Sequence, residues 1–489
     1  MVTFAGIERR GGPEMRPARL RPLGRDDPGC RAGDPPPRDG RAMSDGQASA
    51  EAGSGAGAQA ADAIGPQAGR AYLRLVGLGA AIGIPAALVA AGFLALVHVV
   101  EHGLWTDLPR DLGLSAPPWY LVIGLPVVGA VIVIIARRLL PGDGGHPPLE
   151  GIGGGVVPIE NAPGIVLAAL GTLGFGAALG PEAPLIALGA IAGLALARLG
   201  RADEQESAVL AGAGSFSAIS SLFGGPIVGG IMMLEGGLSL GEKLLPVLLP
   251  GFVAAAVGYV LFIGLGNWSG IHSQTLTVTG LPPYHGTHLL DLLLSIPVGI
   301  LAAILIGGVR RFAGWLAERG PRDLGMPALL LLGALGVGLV AQMADWLGAD
   351  SQDVLFSGQA SLPALDSATS TKIVLILLVG KAAAYGLSLG CGFRGGPIFP
   401  AIFLGIAVAA LGVQWFGLSP TYAVAVGTAA GMAGTSRLLL APIVFSGLLV
   451  GTSGVDTVPA AVLAAVSAWL TATALERRSA AHPSDGATS

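Results

Sequence analysis

The sequence predicts an all-α protein that crosses a lipid bilayer many times, and three observations carry that prediction. First, 52% of the 489 residues are hydrophobic and only 12% are charged, against roughly 25% charged in an ordinary soluble domain. Mean hydropathy is +0.70. Second, between two polar ends the apolar segments follow one another with little relief, several of them near the length of about 20 residues that a spanning helix needs. Third, the frame G-P-x-x-P-x-I-x-L-G occurs twice, as GPEAPLIALG at residues 180–189 and as GPIFPAIFLG at residues 396–405. One copy has Glu182 where the other has Ile398.

Residues 1–69 are rich in Pro, Gly, Arg, Asp and Ala without an apolar period. Such a segment cannot offset its ordering entropy and is expected to be disordered. It has no apolar core of a signal peptide. Met43 offers a second start, which would leave residues 1–42 untranslated. Uninterrupted spans are expected at 71–100, 119–136, 244–263, 289–309, 327–343 and 373–387. Shorter or Gly/Pro-broken helices are expected around 163–179, 182–199, 206–219, 226–235, 397–413, 421–434, 440–451 and 458–474. Broken helices at membrane depth are tolerated where they are buried in protein or line a watery cavity, and they point to a transport site. The resulting division is a first membrane repeat at 70–265, an outer loop at 266–287, a second repeat at 288–475 and a short tail at 476–489.

Charge sets the orientation. Arg70 and Arg74 precede the first span, Arg137 and Arg138 follow the second, and Arg310, Arg311, Arg319 and Arg322 follow the segment ending near Val309. The positive-inside rule assigns these to the cytoplasm, and both chain ends with them. Nucleic acid is not a partner suggested by this pattern. Cys30 and Cys391 lie too far apart in sequence and setting to suggest a disulfide or metal site. GIGGG at 151–155 lacks a surrounding βαβ unit, so no dinucleotide cofactor is expected. GTSG at 451–454 fits an intramembrane serine protease, but after Ser453 only His482 remains, in the polar tail. No enzymatic chemistry and no cofactor are expected.

The recurrence has one register. An offset of 216 residues carries Gly180, Pro181, Pro184, Leu188 and Gly189 onto Gly396, Pro397, Pro400, Leu404 and Gly405. The same offset carries Ser220, Leu222, Pro226, Ile227 and Val228 onto Ser436, Leu438, Pro442, Ile443 and Val444. This is an internal duplication. Glycine permits close backbone approach and positive φ, and proline suits the first helical turn, so each frame reads as a helix start. Unpaired N–H groups and the positive dipole end make such a start an anion site. Two starts brought together by a pseudo-twofold axis would hold an anion near the bilayer midplane. A carboxylate tethered there, Glu182, can occupy the site itself and so act as a gate.

These residues resemble the CLC chloride channels and transporters, whose pore motifs read GSGIP, G(K/R)EGP and GxFxP. GPEAP at 180–184 resembles the second and places Glu182 on the family's gating glutamate; the GGPIFP frame ending at Pro400 resembles the third. Aligned on Pro147 and on Glu150 and Gly151, DGGHP at 143–147 stands where GSGIP is expected. GGPIVGGIMMLEG is similar to the family's NAPLAGILFIIEE, and with GFRGGPIFP at 392–400 the chain looks most like a divergent bacterial branch of ion-transport proteins. The resemblance covers about residues 71–475. It implies a CLC-like fold of two inverted helical repeats whose broken helices meet at a central anion site. It also implies a homodimer in the bacterial cell membrane with one pore per subunit, and chloride or another small anion as substrate. The anion-binding positions it marks are Gly144, Gly145, His146, Pro147, Gly180, Pro181, Ala183, Gly396, Pro397, Ile398 and Phe399.

The departures matter too. The family's pore serine falls on Gly144, and Pro397 lies where typical members donate an N–H, leaving Ile398 and Phe399 as candidate donors. The last helix, which carries the pore tyrosine, is not recognisable. Of the paired acids after the APL-like turn, Glu235 matches the first, a candidate inner acid, while the proton-relaying second falls on Gly236. Arg394 is a candidate vestibule cation, and Lys381 a buried charge for which Glu235 is a candidate partner. The expectation is passive, glutamate-gated chloride flux, with proton-coupled antiport of chloride or fluoride as the alternative.

Overall fold

Proline and glycine set the helix ends in the computed structural model, which describes residues 66–151, 153, 156–238, 244–269, 278, 280–359, 361 and 370–481. Most of the tail expected to be disordered lies outside the described residues. Among the described residues, fourteen helices have eleven residues or more. The first half holds α1 Pro66–His102, α2 Trp119–Leu139, α3 Ala162–Leu173, α4 Glu182–Leu199, α5 Glu204–Leu222, α6 Pro226–Gly236 and α7 Leu244–Ser269. The second holds α8 Leu289–Asp323, α9 Met326–Trp346, α10 Thr371–Gly390, α11 Ile398–Phe416, α12 Pro420–Ser436, α13 Leu440–Val450 and α14 Val458–Ala481. Nine stretches among the described residues are long and apolar enough to cross a membrane. The protein is therefore an all-helical, multi-pass membrane protein.

The two halves repeat helix for helix, α1 to α7 against α8 to α14, although α3 has 12 residues where its counterpart α10 has 20. Several helices outrun their hydropathy. α7 continues to Ser269, into the loop expected from 266, α8 continues to Asp323, and α14 reaches Ala481. The extensions of α8 and α14 carry Arg310, Arg311, Glu318 and Glu476, Arg477, Arg478. These residues are good helix formers that hydropathy discounts, so the lipid boundary and the helix boundary differ there.

Close helix approach needs small residues in a bilayer, where apolar contact gains nothing over lipid. α4 lies on α5 and α11 on α12. A Cβ on Gly189 would strike the backbone of Gly214, and one on Gly405 the backbone of Gly427. The same device therefore closes both helix pairs. α11 is buried on every face from Ile398 to Ala410, and α12 from Thr421 to Thr435. Helices apolar all round belong in the core, and α11 brings its N-terminus to the centre of the molecule.

Candidate functional site

The two Gly-Pro helix starts meet. Gly180 N–H donates to the Gly396 carbonyl at 2.8 Å, and Gly396 N–H donates to the Gly180 carbonyl at 2.5 Å. These are the two residues that the offset of 216 makes equivalent. A reciprocal pair between equivalent residues marks the pseudo-twofold axis. Two further pairs obey the same symmetry. Ala178 N–H donates to Ser388 Oγ at 3.0 Å, and Arg394 N–H donates to Thr172 Oγ1 at 3.2 Å. Thr172 and Ser388 in turn donate to the carbonyls of Ala168 and Ala384, each at 2.8 Å. The loops entering α4 and α11 are thus each tied to the C-terminal end of a helix of the other half, α10 and α3 respectively.

Glu182 is the first residue of α4 and is fully buried. Its carboxylate lies across the start of α11, where Oε1 accepts the N–H of Phe399 at 2.8 Å and the N–H of Ile398 is also directed at the carboxyl. Oε2 has no hydrogen-bond partner. The acid of one half therefore sits in the anion-binding terminus of the other half, a site made by unpaired N–H groups and the positive helix end. Pro181 and Pro397 are the N-caps of the two helices. Neither Gly180 nor Gly396 has positive φ. Their requirement is space: a Cβ on either would collide with the Glu182 carboxylate. Phe399 is flanked by Phe223, stacked with ring centroids 5.4 Å apart, and by Phe445 at 6.5 Å.

The DGGHP loop turns through left-handed backbone at Asp143, Gly144 and Gly145 (φ 48°, 72° and 102°). Aspartate is among the few side chains that enter this region as single residues, and glycine takes the two positions that follow without strain. A Cβ at Gly144 would in addition lie 2.8 Å from that of Ala168, which accounts for the missing serine. The loop is clamped at Asp143. Arg137 donates to both its carboxylate oxygens at 2.8 Å, and Arg394 makes a short ion pair with Oδ2 and donates from Nε to the Asp143 carbonyl at 3.0 Å. Burial pushes the Asp143 carboxyl up, but the two guanidiniums outweigh it and hold the group below the usual carboxylate range. Arg394, the candidate vestibule cation, is consequently a paired charge.

Behind this clamp lies a cavity of about 220 Å³, walled by Gly142, Gly145, His146, Asn161, Ala183 and Ala187 among others. A narrower space of about 10 Å³, lined by Gly144, Gly145, His146, Ala183, Pro184 and Arg394 among others, holds roughly one water. Gly144, Gly145, His146 and Ala183 converge on these cavities, and Gly180, Gly396, Pro181, Pro397, Ile398 and Phe399 on the helix starts. Pro147 is the N-cap of the short turn Pro148–Glu150 beside them. Ala183, which lines both spaces, is the chain neighbour of the buried Glu182.

A family model described as voltage gated chloride channel matches residues 128–473. The chain belongs to that family. Curated relatives include "Putative ion-transport protein YfeO" of Escherichia coli O7:K1, 28% identical over an alignment of 343 residues that covers 67% of this chain and 76% of the relative. The protein of the same name from Shigella boydii serotype 4 is 28% identical over 345 residues, again 67% and 76%. Among solved structures, a slow cyanobacterial Cl-/H+ antiporter aligns with TM-score 0.67 and 17% identity, covering 83% of this chain and 98% of its own. A CLC-type fluoride/proton antiporter aligns with TM-score 0.62 and 19% identity, covering 81% and 95%. The expected CLC-like fold is therefore present.

Sequence reasoning missed three side chains here. Thr172 and Ser388 brace the axis, and nothing but their shared offset distinguishes them from other hydroxyls in apolar helices. Tyr385, fully buried on α10, donates its hydroxyl to the Pro397 carbonyl at 2.8 Å and so ties down the start of α11. One pairing needs correction. Lys381 does not pair with Glu235: its Nζ donates to the carbonyls of Leu355 at 2.5 Å and Phe356 at 3.2 Å and lies 4.8 Å from the Phe403 ring centroid. Short backbone reach and a ring face satisfy the cation where it stands. The Glu235 carboxylate instead accepts the N–H groups of Leu439, Leu440 and Ala441 at 2.8–2.9 Å.

Proposed function

We propose that this protein passes small anions, chloride first among them, across a bacterial cell membrane and that Glu182 is the gate. The observation that carries the reading is the fit of the Glu182 carboxylate into the N–H groups at the start of α11, where it stands in for an anion. An ionised carboxylate competes with the anion for those donors, and a protonated one gives them up. The positive-inside rule, applied to the Arg-rich stretches after α2 and in the second part of α8, supports a cytoplasmic side for the DGGHP cavity and for both chain ends. Each subunit of a homodimer carries one such path, formed between a first repeat at 70–265 and a second at 288–475. Flux is passive in this reading. Proton-coupled antiport of chloride or fluoride is the second reading, favoured by the likeness to the two solved antiporters.

The test is anion efflux from liposomes holding purified protein. Wild-type efflux rises as the outside is acidified, and Glu182→Gln or Glu182→Ala removes most of that dependence. A variant that keeps the wild-type pH profile would exclude the gating role.

A further inference from the structure

His146 lines both cavities, and the surroundings of its imidazole decide what it does there. Its ring forms part of the wall of both the wide and the narrow space, the second of which runs to Ala183, the neighbour of Glu182. Gly153 leaves room for it, for a Cβ there would lie 3.1 Å from the imidazole. Nδ1 is 3.9 Å from a Glu150 carboxylate oxygen, while Nε2 is buried and has no hydrogen-bond partner. A bare ring nitrogen is tolerable on a neutral imidazole, where it is only an acceptor. Once protonated, it becomes a buried donor that needs an acceptor. The protein supplies none, and a small anion in the adjoining cavity does.

The charged groups around the ring are few. Glu150 lies on its own side, Arg394 reaches it from the loop before α11, and Arg310 of α8 donates to the Leu149 carbonyl close by. Asp143 is taken up by Arg137 and Arg394. Burial above all, and Arg394 with it, push the imidazole below its usual range against the pull of Glu150. At neutral pH the imidazole is therefore neutral, and acid on that side charges it.

We infer that His146 is a proton-operated anion-loading site at the cytoplasmic mouth: protonation from the cytoplasmic side turns the cavity wall into a cationic donor and speeds anion entry. This rests on the anion-transport reading and on the orientation proposed above. It is separate from the gate, because Glu182 responds to outside acid at the far end of the path.

Inverted membrane vesicles, whose cytoplasmic face meets the bath, provide the test with radiolabelled chloride. Wild-type uptake rises as the bath is acidified below neutrality. His146→Gln loses that acid-stimulated part, whereas in right-side-out vesicles the response to outside acid persists. His146→Lys, a fixed cation, shows no further stimulation by acid. In wild-type protein, carbethoxylation of His146 by diethyl pyrocarbonate, followed by mass spectrometry, is slowed by chloride and abolishes the acid stimulation. Retention of the inner acid response by His146→Gln overturns the inference, as does modification that chloride does not slow. Absence of chloride uptake in any vesicle overturns the anion-transport reading itself and the inference with it.

Discussion

At the residue scale the site turns on how little space surrounds the Glu182 carboxylate. All three atoms nearest to a Cβ built on Gly180 belong to that carboxylate, so glycine is there to admit it. Overpacking of a filled core costs about 1–3 kcal/mol, and contacting residues are coupled in a double-mutant cycle. Gly180→Ala is therefore expected to lower the stability of the purified protein by about that amount in the wild-type background and by little in Glu182→Ala, where the obstructing atoms are gone. Thermal unfolding of wild type and the three variants reads this directly; equal losses in both backgrounds would sever the link between Gly180 and the Glu182 carboxylate. The Gly-Pro frame was legible as a helix start because proline and glycine act locally. Which property of glycine mattered was not legible, since φ at Gly180 is ordinary and the constraint comes from a side chain two residues on. Tyr385 was illegible for a related reason. A tyrosine in an apolar helix announces burial, but its acceptor, the Pro397 carbonyl, is a matter of tertiary geometry.

At the scale of elements, the short helices are held by contacts between the halves rather than by their own sequence. α13 has eleven residues and begins at Leu440, too short to be stable alone. Its exposed N–H groups are capped by Glu235 from the end of α6, the helix to which the duplication makes it equivalent. A matching acid after α13 is lacking: the offset places Gly451 there. Loss of a helix cap costs about 0.5–2 kcal/mol, and hydrogen bonds to a charged acceptor reach about 1.5–3 kcal/mol. Glu235→Ala is accordingly expected to lower stability by about 1–3 kcal/mol while leaving the pH profile of anion flux unmoved, as measured by unfolding and by efflux on one preparation. A shifted pH profile at unchanged stability would make Glu235 a titrating group of the path instead of a cap. The helix order was readable almost throughout, because Gly/Pro punctuation and apolar length are sequence properties. Helix ends were less readable where Arg and Glu continue a helix beyond the lipid, as at Asp323 and Ala481.

At the scale of the whole molecule, the question is whether anion and proton movements are coupled. Likeness to two proton antiporters at 17% and 19% identity concerns the fold, and coupling depends on particular groups. A proton that leaves Glu182 for the cytoplasm needs titratable groups or ordered water on the way, because hydrocarbon offers it no resting place. The family's relay position is Gly236, which has no side chain to titrate, and among the described residues a Cβ built there meets nothing within 4 Å. Glu235 is one residue away but committed to three backbone donors, and Glu242 lies outside the described residues. His146 titrates on the anion's own route, where it adds charge for the anion. Passive flux is the expected outcome. A chloride gradient imposed on proteoliposomes is expected to run down with no uphill movement of protons at an external pH electrode. Proton movement at a fixed ratio to chloride, abolished by Glu182→Ala, would establish the antiporter. In that event His146→Gln separates two routes: loss of coupling would put the proton through the loading site, and intact coupling would require a path of water past Gly236.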